Sequence, residues 1–215
     1  MRRSLPNRAR ADKRIAAVVL AAGESRRMGS TNKLTASVAG VPMVARVVDA
    51  LLQSHAEPVL VVTGHEPERI ADALTGREVR LVHNADYADG IASSIRVGIE
   101  ALGDGVDGAV IALADMPWVG TGVIDKLIDA YTADGDLSIF VPMFGRKRGN
   151  PVLWGAQHFP ELTALSGDVG GQSLFHRYSA AIRHVDVDSA NINIDVDTPE
   201  ALQDLGIVGE GEENR

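Results

Sequence analysis

The sequence contains no cysteine. Disulfides, thiolate nucleophiles and cysteine-ligated zinc are thereby excluded, and a reducing, cytoplasmic setting is expected. Aromatic residues make up only 4% of the chain, whereas 45% is hydrophobic. The core must be assembled from Val, Ile, Leu and Ala, the texture of a parallel sheet buried on both faces. No apolar run approaches the ~20 residues of a bilayer span, so no membrane partner is expected. Positive charge is scarce too. Lys and Arg number 21 against 29 Asp and Glu, a formal net charge of −8, which argues against a general nucleic-acid binder. Two glycine fingerprints are also missing, the G-x-x-x-x-G-K-[ST] phosphate loop and the G-x-G-x-x-G dinucleotide turn.

What is present instead is V-V-L-A-A-G-E-S-R-R-M-G-S-T-N-K over residues 18–33. A strand-like apolar run breaks into Leu20, Ala21, Ala22 and Gly23, followed by Arg26, Arg27, Gly29 and Lys33. Small residues let backbone N–H groups approach an anion, and the three cations neutralise it. This crowding suits a triphosphate. The plainer alternative is a strand-to-helix turn with solvated arginines.

Short β-rich runs alternate with helical patterns. Strands are expected over 15–20, 58–63, 79–83, 108–113, 137–141 and 182–187. Helices are expected over 42–53, 67–74, 91–102, 122–131, 170–178 and 199–205, with Pro42, Pro67 and Pro199 in first turns. The alternation predicts an α/β fold of βαβ units on a mainly parallel sheet. It forms one domain over 15–205, flanked by a disordered basic arm (1–14) and a flexible acidic tail (206–215). The arm lacks the apolar core of a signal peptide. Ligands in such sheets gather at the carboxyl ends of the strands, and the polar motifs fall there.

Thr63 closes one expected strand and Asn84 directly follows another, and Asn84 is a candidate base or ribose contact. His65 and His83, nearby, read as structural or solvated. Gly90 followed by Ser93 and Ser94 suits a base- or phosphate-binding turn, and equally an ordinary helix cap. Asp115 follows an apolar strand and precedes Met116-Pro117. A carboxylate there needs a cationic partner, and Mg²⁺ shared with nucleotide phosphates supplies one. Asp115 lies too early to cap the helix expected at 122. Arg146, Lys147 and Arg148 precede Gly149-Asn150-Pro151, a second-substrate contact or a solvated hairpin tip. Ser166-Gly167-Asp168 lies in a glycine-rich stretch read as opening a helix, a second anion or polar-ligand site. Asp197 or Thr198 can cap the helix expected at 199, which leaves Asp195 over; on one face of an apparent strand, Asp195 and Asp197 are candidates for a second metal-side contact.

In order, L-A-A-G-x-S-R-R-M-G-x-x-x-K, T-G-H-E, H-N-x-D-Y-x-x-G, A-D-M-P, G-N-P-V-L, L-S-G-D-V-G and D-V-D-T-P-E run from 17 to 202. Together they resemble the molybdenum cofactor cytidylyltransferases, MobA-like nucleotidyltransferases. The resemblance implies a three-layer Rossmann-like nucleotidyltransferase fold. It implies transfer of CMP from CTP to the phosphate of molybdopterin, with Mg²⁺ as cofactor and pyrophosphate as product. Arg27, Lys33 and Asp115 would be catalytic. Leu20, Ala21, Ala22, Gly23, Arg26, Gly29, Thr63, Asn84, Gly90 and Ser94 would line the nucleotide. Arg148, Gly149, Asn150, Ser166, Gly167 and Asp168 would face the pterin, and Asp115 with Asp195 the metal. A molybdoenzyme or its chaperone is the implied protein partner. Ala22 in Leu20-Ala21-Ala22-Gly23 matches the cytidylyl branch, whereas guanylyl enzymes tend to L-A-G-G. Three alternatives stay open: GTP or another NTP as donor, a different phosphorylated acceptor, and a non-catalytic carrier of the finished cofactor.

Overall fold

The computed structural model describes residues 13–24, 32–134 and 137–196. Arg26, Arg27, Gly29, Asp197, the helix expected over 199–205, the acidic tail and the arm up to residue 12 lie outside them. The last two arm residues belong to the fold. The Lys13 ammonium lies 4.1 Å from the centre of the Tyr131 ring and donates to the Tyr131 carbonyl at 3.0 Å. The Arg14 backbone N–H donates to the Asp107 carboxylate at 2.8 Å.

The strands are β1 (Ile15–Ala21), β2 (Ser37–Val38), β3 (Val41–Pro42), β4 (Val59–Thr63), β5 (Arg80–His83), β6 (Gly108–Leu113), β7 (Ile139–Phe144), β8 (Lys147–Arg148), β9 (Val152–Gly155) and β10 (Ile182–Asp186). The helices are α1 (Met43–Leu52), α2 (Pro67–Ala73), α3 (Ile91–Leu102), α4 (Thr121–Ala133) and α5 (Phe159–Thr163). The main sheet runs β10-β7-β9-β6-β1-β4-β5, with β8 paired to β7, and β2 and β3 form a separate hairpin. β1 pairs in parallel with both β4 and β6, and β10 with β7. β9 is antiparallel to both β6 and β7. The α/β fold with a mainly parallel sheet is as expected.

Alternation along β1 builds the layers. Ala17, Val19 and Ala21 pack with α1 and α4 residues such as Val44, Val48 and Leu127. Val18 turns to the opposite face with Val62 and α3's Val97. Every β1 residue but Leu20 is buried, which explains why the run reads as continuously apolar. Beyond β6, the fully buried Trp154 and Phe140 fill the sheet's two faces; each stabilises the fold by roughly 2 kcal/mol relative to an exposed ring.

Two expectations are corrected. A helix over 170–178 is replaced by a 3-10 turn, Gly171–Leu174. Two successive glycines weaken an α-helical start, and a Cβ at Gly171 would lie 2.9 Å from the Trp154 ring. The strand read at 192–197 is instead a 3-10 turn, Ala190–Asn193, followed by irregular chain to Val196. The reversed strand β9 and the short helix α5 have no counterpart in the sequence reading.

Candidate active site

β1, β4, β5 and β6 all end on one edge of the sheet, so residues 22–24, 64–66, 84–90 and 114–116 share one rim. β9, being reversed, begins there. Asp115 stands just beyond β6: the Ala114 N–H donates to the Leu20 carbonyl at 3.2 Å, extending the β1–β6 ladder to its last rung. Lys33 arrives from the other side of β1. It opens a 3-10 turn capped by the Asn32 side chain, which accepts from the Leu34 N–H at 3.1 Å, and buried Leu34 anchors that turn in the core.

These two placements bring Lys33 Nζ to 2.9 Å from Asp115 Oδ2, with side chains 14% and 22% exposed. The cation that a carboxylate needs at this position is therefore supplied by the chain itself. The Val196 N–H donates to the Asp115 carbonyl at 3.0 Å, which brings the neighbouring Asp195 to the same rim. Asp115 does not cap α4, whose first turn has no side-chain cap. Among the described residues no group of three or more His, Cys, Asp or Glu gathers. Asp115 and Asp195 therefore fit a hard divalent cation only as partial ligands, with phosphate oxygens and water completing the shell.

The β4–β5 side differs from expectation. Thr63, Asn84, Ser93 and Ser94 are all buried, Asn84 completely. The Asn84 amide donates to Ser93 Oγ at 2.8 Å and Ser94 Oγ at 3.1 Å, and its Oδ1 accepts from the Asp86 N–H at 3.0 Å. These side chains form the floor of the rim rather than its surface. Gly90 does not present a phosphate turn either. Its φ is +102°, and a Cβ there would lie 2.6 Å from the Gly167 backbone. The Gly167 carbonyl accepts from the Ala92 N–H at 3.2 Å, and Asp168 Oδ1 from the Ile91 N–H at 3.4 Å. The glycine-rich stretch therefore caps α3 instead of opening its own helix. The Gly167 carbonyl and the Asp168 carboxylate, both read as facing a ligand, are thus already engaged as acceptors, and Ser166 stays exposed beside them.

On the β7–β9 side, residues 145–146 form the exposed hairpin tip between β7 and β8, and Lys147 and Arg148 are β8 itself, exposed and paired to Phe144 and Met143. Arg148 Nε donates to His184 Nε2 at 3.0 Å, and its guanidinium sits 5.6 Å from the Phe175 ring centre. The Gly149 and Asn150 N–H groups are held by the Pro142 and Ile192 carbonyls at 3.0 and 2.9 Å. The structure thus gathers Leu20, Ala21, Ala22, Gly23, Lys33, Asp115 and Asp195 at the centre of the rim, with Arg148, Gly149 and Asn150 on its β9 side.

The model of the MobA-like NTP transferase domain matches residues 17–184. The chain belongs to that family. This MobA-like domain is accordingly a nucleotidyltransferase. The bifunctional protein GlmU of Clavibacter sepedonicus is 28% identical over 200 residues, covering 91% of this chain and 38% of that protein. GlmU of Streptomyces avermitilis is 35% identical over 125 residues, 56% of this chain and 26% of that protein. The MobA-like chain thus matches well under half the length of these curated relatives. Among solved structures, Rv0371c from Mycobacterium tuberculosis H37Rv superposes with a TM-score of 0.77 at 27% identity, covering 90% of this chain and 97% of that one. Rv0371c has also been solved in complex with manganese, with a TM-score of 0.74 at 26% identity over 90% and 98% of the two chains. Mth528, a nucleotidyl transferase from Methanothermobacter thermautotroptrophicus, shares the fold with a TM-score of 0.77 at 22% identity, over 90% and 96% of the chains. Among the described residues of the MobA-like domain, no helix is long and apolar enough to cross a membrane.

Proposed function

We propose that this chain transfers CMP from CTP to the terminal phosphate of a pterin of the molybdopterin type, releasing pyrophosphate. The observation that carries this reading is the Lys33–Asp115 pair, 2.9 Å apart at the crest between β1 and β6. An acceptor phosphate oxygen bonds to the α-phosphorus, the bond from that phosphorus to the α–β bridging oxygen breaks, and pyrophosphate leaves with its electron pair. The reaction needs positioning and charge neutralisation rather than a covalent protein group. Leu20 to Gly23 receive the nucleoside along their backbone. Lys33 exchanges its contact with Asp115 for the β- and γ-phosphates and neutralises the leaving pyrophosphate, with Arg26 and Arg27 assigned to the same task. Arg148, Gly149 and Asn150 orient the acceptor.

Asp115 and Asp195 would hold the divalent cation. When bound, Mg²⁺ or Mn²⁺ offsets the repulsion between two anionic substrates and polarises the α-phosphate. The manganese complex of Rv0371c, a relative over most of this chain, supports a divalent ion here. Ala22 supports cytidine over guanosine, and the basic hairpin of residues 146–148 supports an anionic acceptor.

A coupled pyrophosphate assay with CTP or GTP, molybdopterin and Mg²⁺ tests the reading. Release with CTP and molybdopterin together is expected. Release with GTP alone reassigns the base, and release with another phosphorylated acceptor reassigns the acceptor. No release with any NTP, alongside tight binding of the finished cofactor, makes the chain a carrier.

A further inference from the structure

The proposed reaction places phosphates at Lys33 and Asp115, between β1 and β6, and an acceptor toward β9. Along the rim the strand order is β9-β6-β1-β4-β5. A nucleotide whose phosphates lie at β1–β6 and whose acceptor occupies the β9 side must extend its nucleoside the other way, over the ends of β4 and β5. The polar groups that the motifs favour there are unavailable, because Thr63, Asn84, Ser93 and Ser94 are buried and Asn84 is committed to the two serines.

Two other side chains stand at this end with polar atoms that no described residue hydrogen-bonds. The His65 N–H donates to the Ala22 carbonyl at 3.2 Å, which fixes the residue beside the Leu20–Gly23 turn. Its imidazole is 39% exposed, and its Nε2 lies 4.0 Å from the Glu66 carboxylate. The Tyr87 ring faces it with centroids 6.0 Å apart at 53°, and the Tyr87 side chain lies so close over Gly64 that a Cβ there would meet the Tyr87 Cβ at 2.5 Å and the first ring carbon at 2.7 Å. Among the described residues neither the imidazole nor the phenol hydroxyl makes a hydrogen bond. An aromatic pair with free hydrogen-bonding tips, tethered to the turn that receives the nucleoside, has the chemistry of a base-reading wall: π-faces for stacking, and a ring nitrogen for the base edge.

We infer that His65 is the side chain that reads the nucleobase and that Tyr87 positions it, Gly64 being the small residue that lets the two rings pack over the strand end. The inference rests on the nucleotide reading proposed above. It assigns specificity to a residue whose sequence context reads as structural or solvated, and leaves Asn84 to hold the floor.

Calorimetric titrations with CTP, GTP, ATP and UTP, and with inorganic tripolyphosphate as a base-free probe, test it in the presence of Mg²⁺. His65→Ala is expected to weaken the best NTP by about tenfold, the worth of one hydrogen bond to a base. It is also expected to shrink the spread of Kd across the four bases, while tripolyphosphate binding stays within about twofold. His65→Gln, which keeps a donor and an acceptor, recovers part of the affinity, and Tyr87→Phe has a smaller effect of the same sign. An unchanged spread of Kd in His65→Ala overturns the assignment. So does an equal loss for tripolyphosphate, which signals a damaged fold rather than a lost base contact. Wild-type protein that binds tripolyphosphate but no NTP more tightly removes the base subsite. Wild-type protein that binds neither removes the nucleotide reading itself.

Discussion

The two ends of the sheet treat polar groups in opposite ways. At the carboxyl end, Lys33 and Asp115 meet across 82 residues of chain in a pair that water still reaches. At the amino end, Ser138 enters β7 and His158 follows β9, and there Ser138 Oγ and His158 Nε2 lie 2.7 Å apart in a sealed cluster. The His158 ring stacks edge-on against Tyr178 at 4.7 Å, and the Tyr178 hydroxyl donates to Glu161 at 2.8 Å. Tyr131 closes the same end. Its hydroxyl donates to the Asp107 carbonyl at 2.6 Å, and burial, helped by the Asp107 charge, pushes its pKa up to about 12. A partly wet ion pair contributes little to stability and exchanges partners readily. The buried Ser138–His158 pair is costly to disturb, since an orphaned partner keeps its desolvation penalty. On the function proposed above, a ligand opens the first end, while the second stays shut.

Substitution separates the two most sharply. Lys33→Gln and Asp115→Asn are each expected to lower kcat by about a hundredfold or more while changing stability by less than about 1 kcal/mol. Pyrophosphate release and thermal melting on the same samples read both. If either variant melts far below wild type, the pair is architectural and the contrast fails. His158→Ala should behave inversely, with a loss of about 2–3 kcal/mol from the cavity and the stranded Ser138 hydroxyl. Turnover well below the melting range should stay within about twofold.

The pH dependence of melting is a finer probe. Burial lowers the His158 pKa below its ordinary 6.5, only partly opposed by Glu161. Below pH 6.5 the unfolded chain takes up a proton that the folded chain resists, so this group's stability is intact above that pH and drains away as the pH falls through the folded value. The melting temperature should drop on acidification from pH 7 toward 5, and His158→Gln should flatten that slope. A slope unchanged in His158→Gln assigns it elsewhere. The smallest expected effect is the coupling between Lys33 and Asp115 in a double-mutant stability cycle, under about 1 kcal/mol. A coupling of several kcal/mol would make this pair as structural as the cluster at the other end.

The sequence was most readable where chemistry is local. α3 and β6 begin and end where expected, because Gly90 and Gly103 bracket one and the apolar run 108–113 defines the other. Asp115 stood out because an acid at the mouth of an apolar strand demands an explanation, and its partner Lys33 lay in the other conspicuous motif. Long-range engagement was not readable. Nothing local to Gly167 and Asp168 shows that they cap a helix 77 residues earlier, so a glycine-rich stretch resembled an anion site. Nothing near Asn84 shows that Ser93 and Ser94 consume its amide. β9 was hidden because V-L-W-G follows a Gly-Asn-Pro turn and is only four residues long, too short for a period-2 signal.

That reversed strand has a further consequence. The chain leaves the carboxyl end of β7, turns through residues 145–151, and re-enters the sheet from the same side. A parallel strand there would have required a return across the whole molecule. The connection is therefore a cassette at the mouth of the cleft, whose length and content can change without moving any rung that supports Lys33 or Asp115. Grafting a different hairpin between Phe144 and Val152 is the direct way to ask whether acceptor choice is portable while nucleotide affinity stays put.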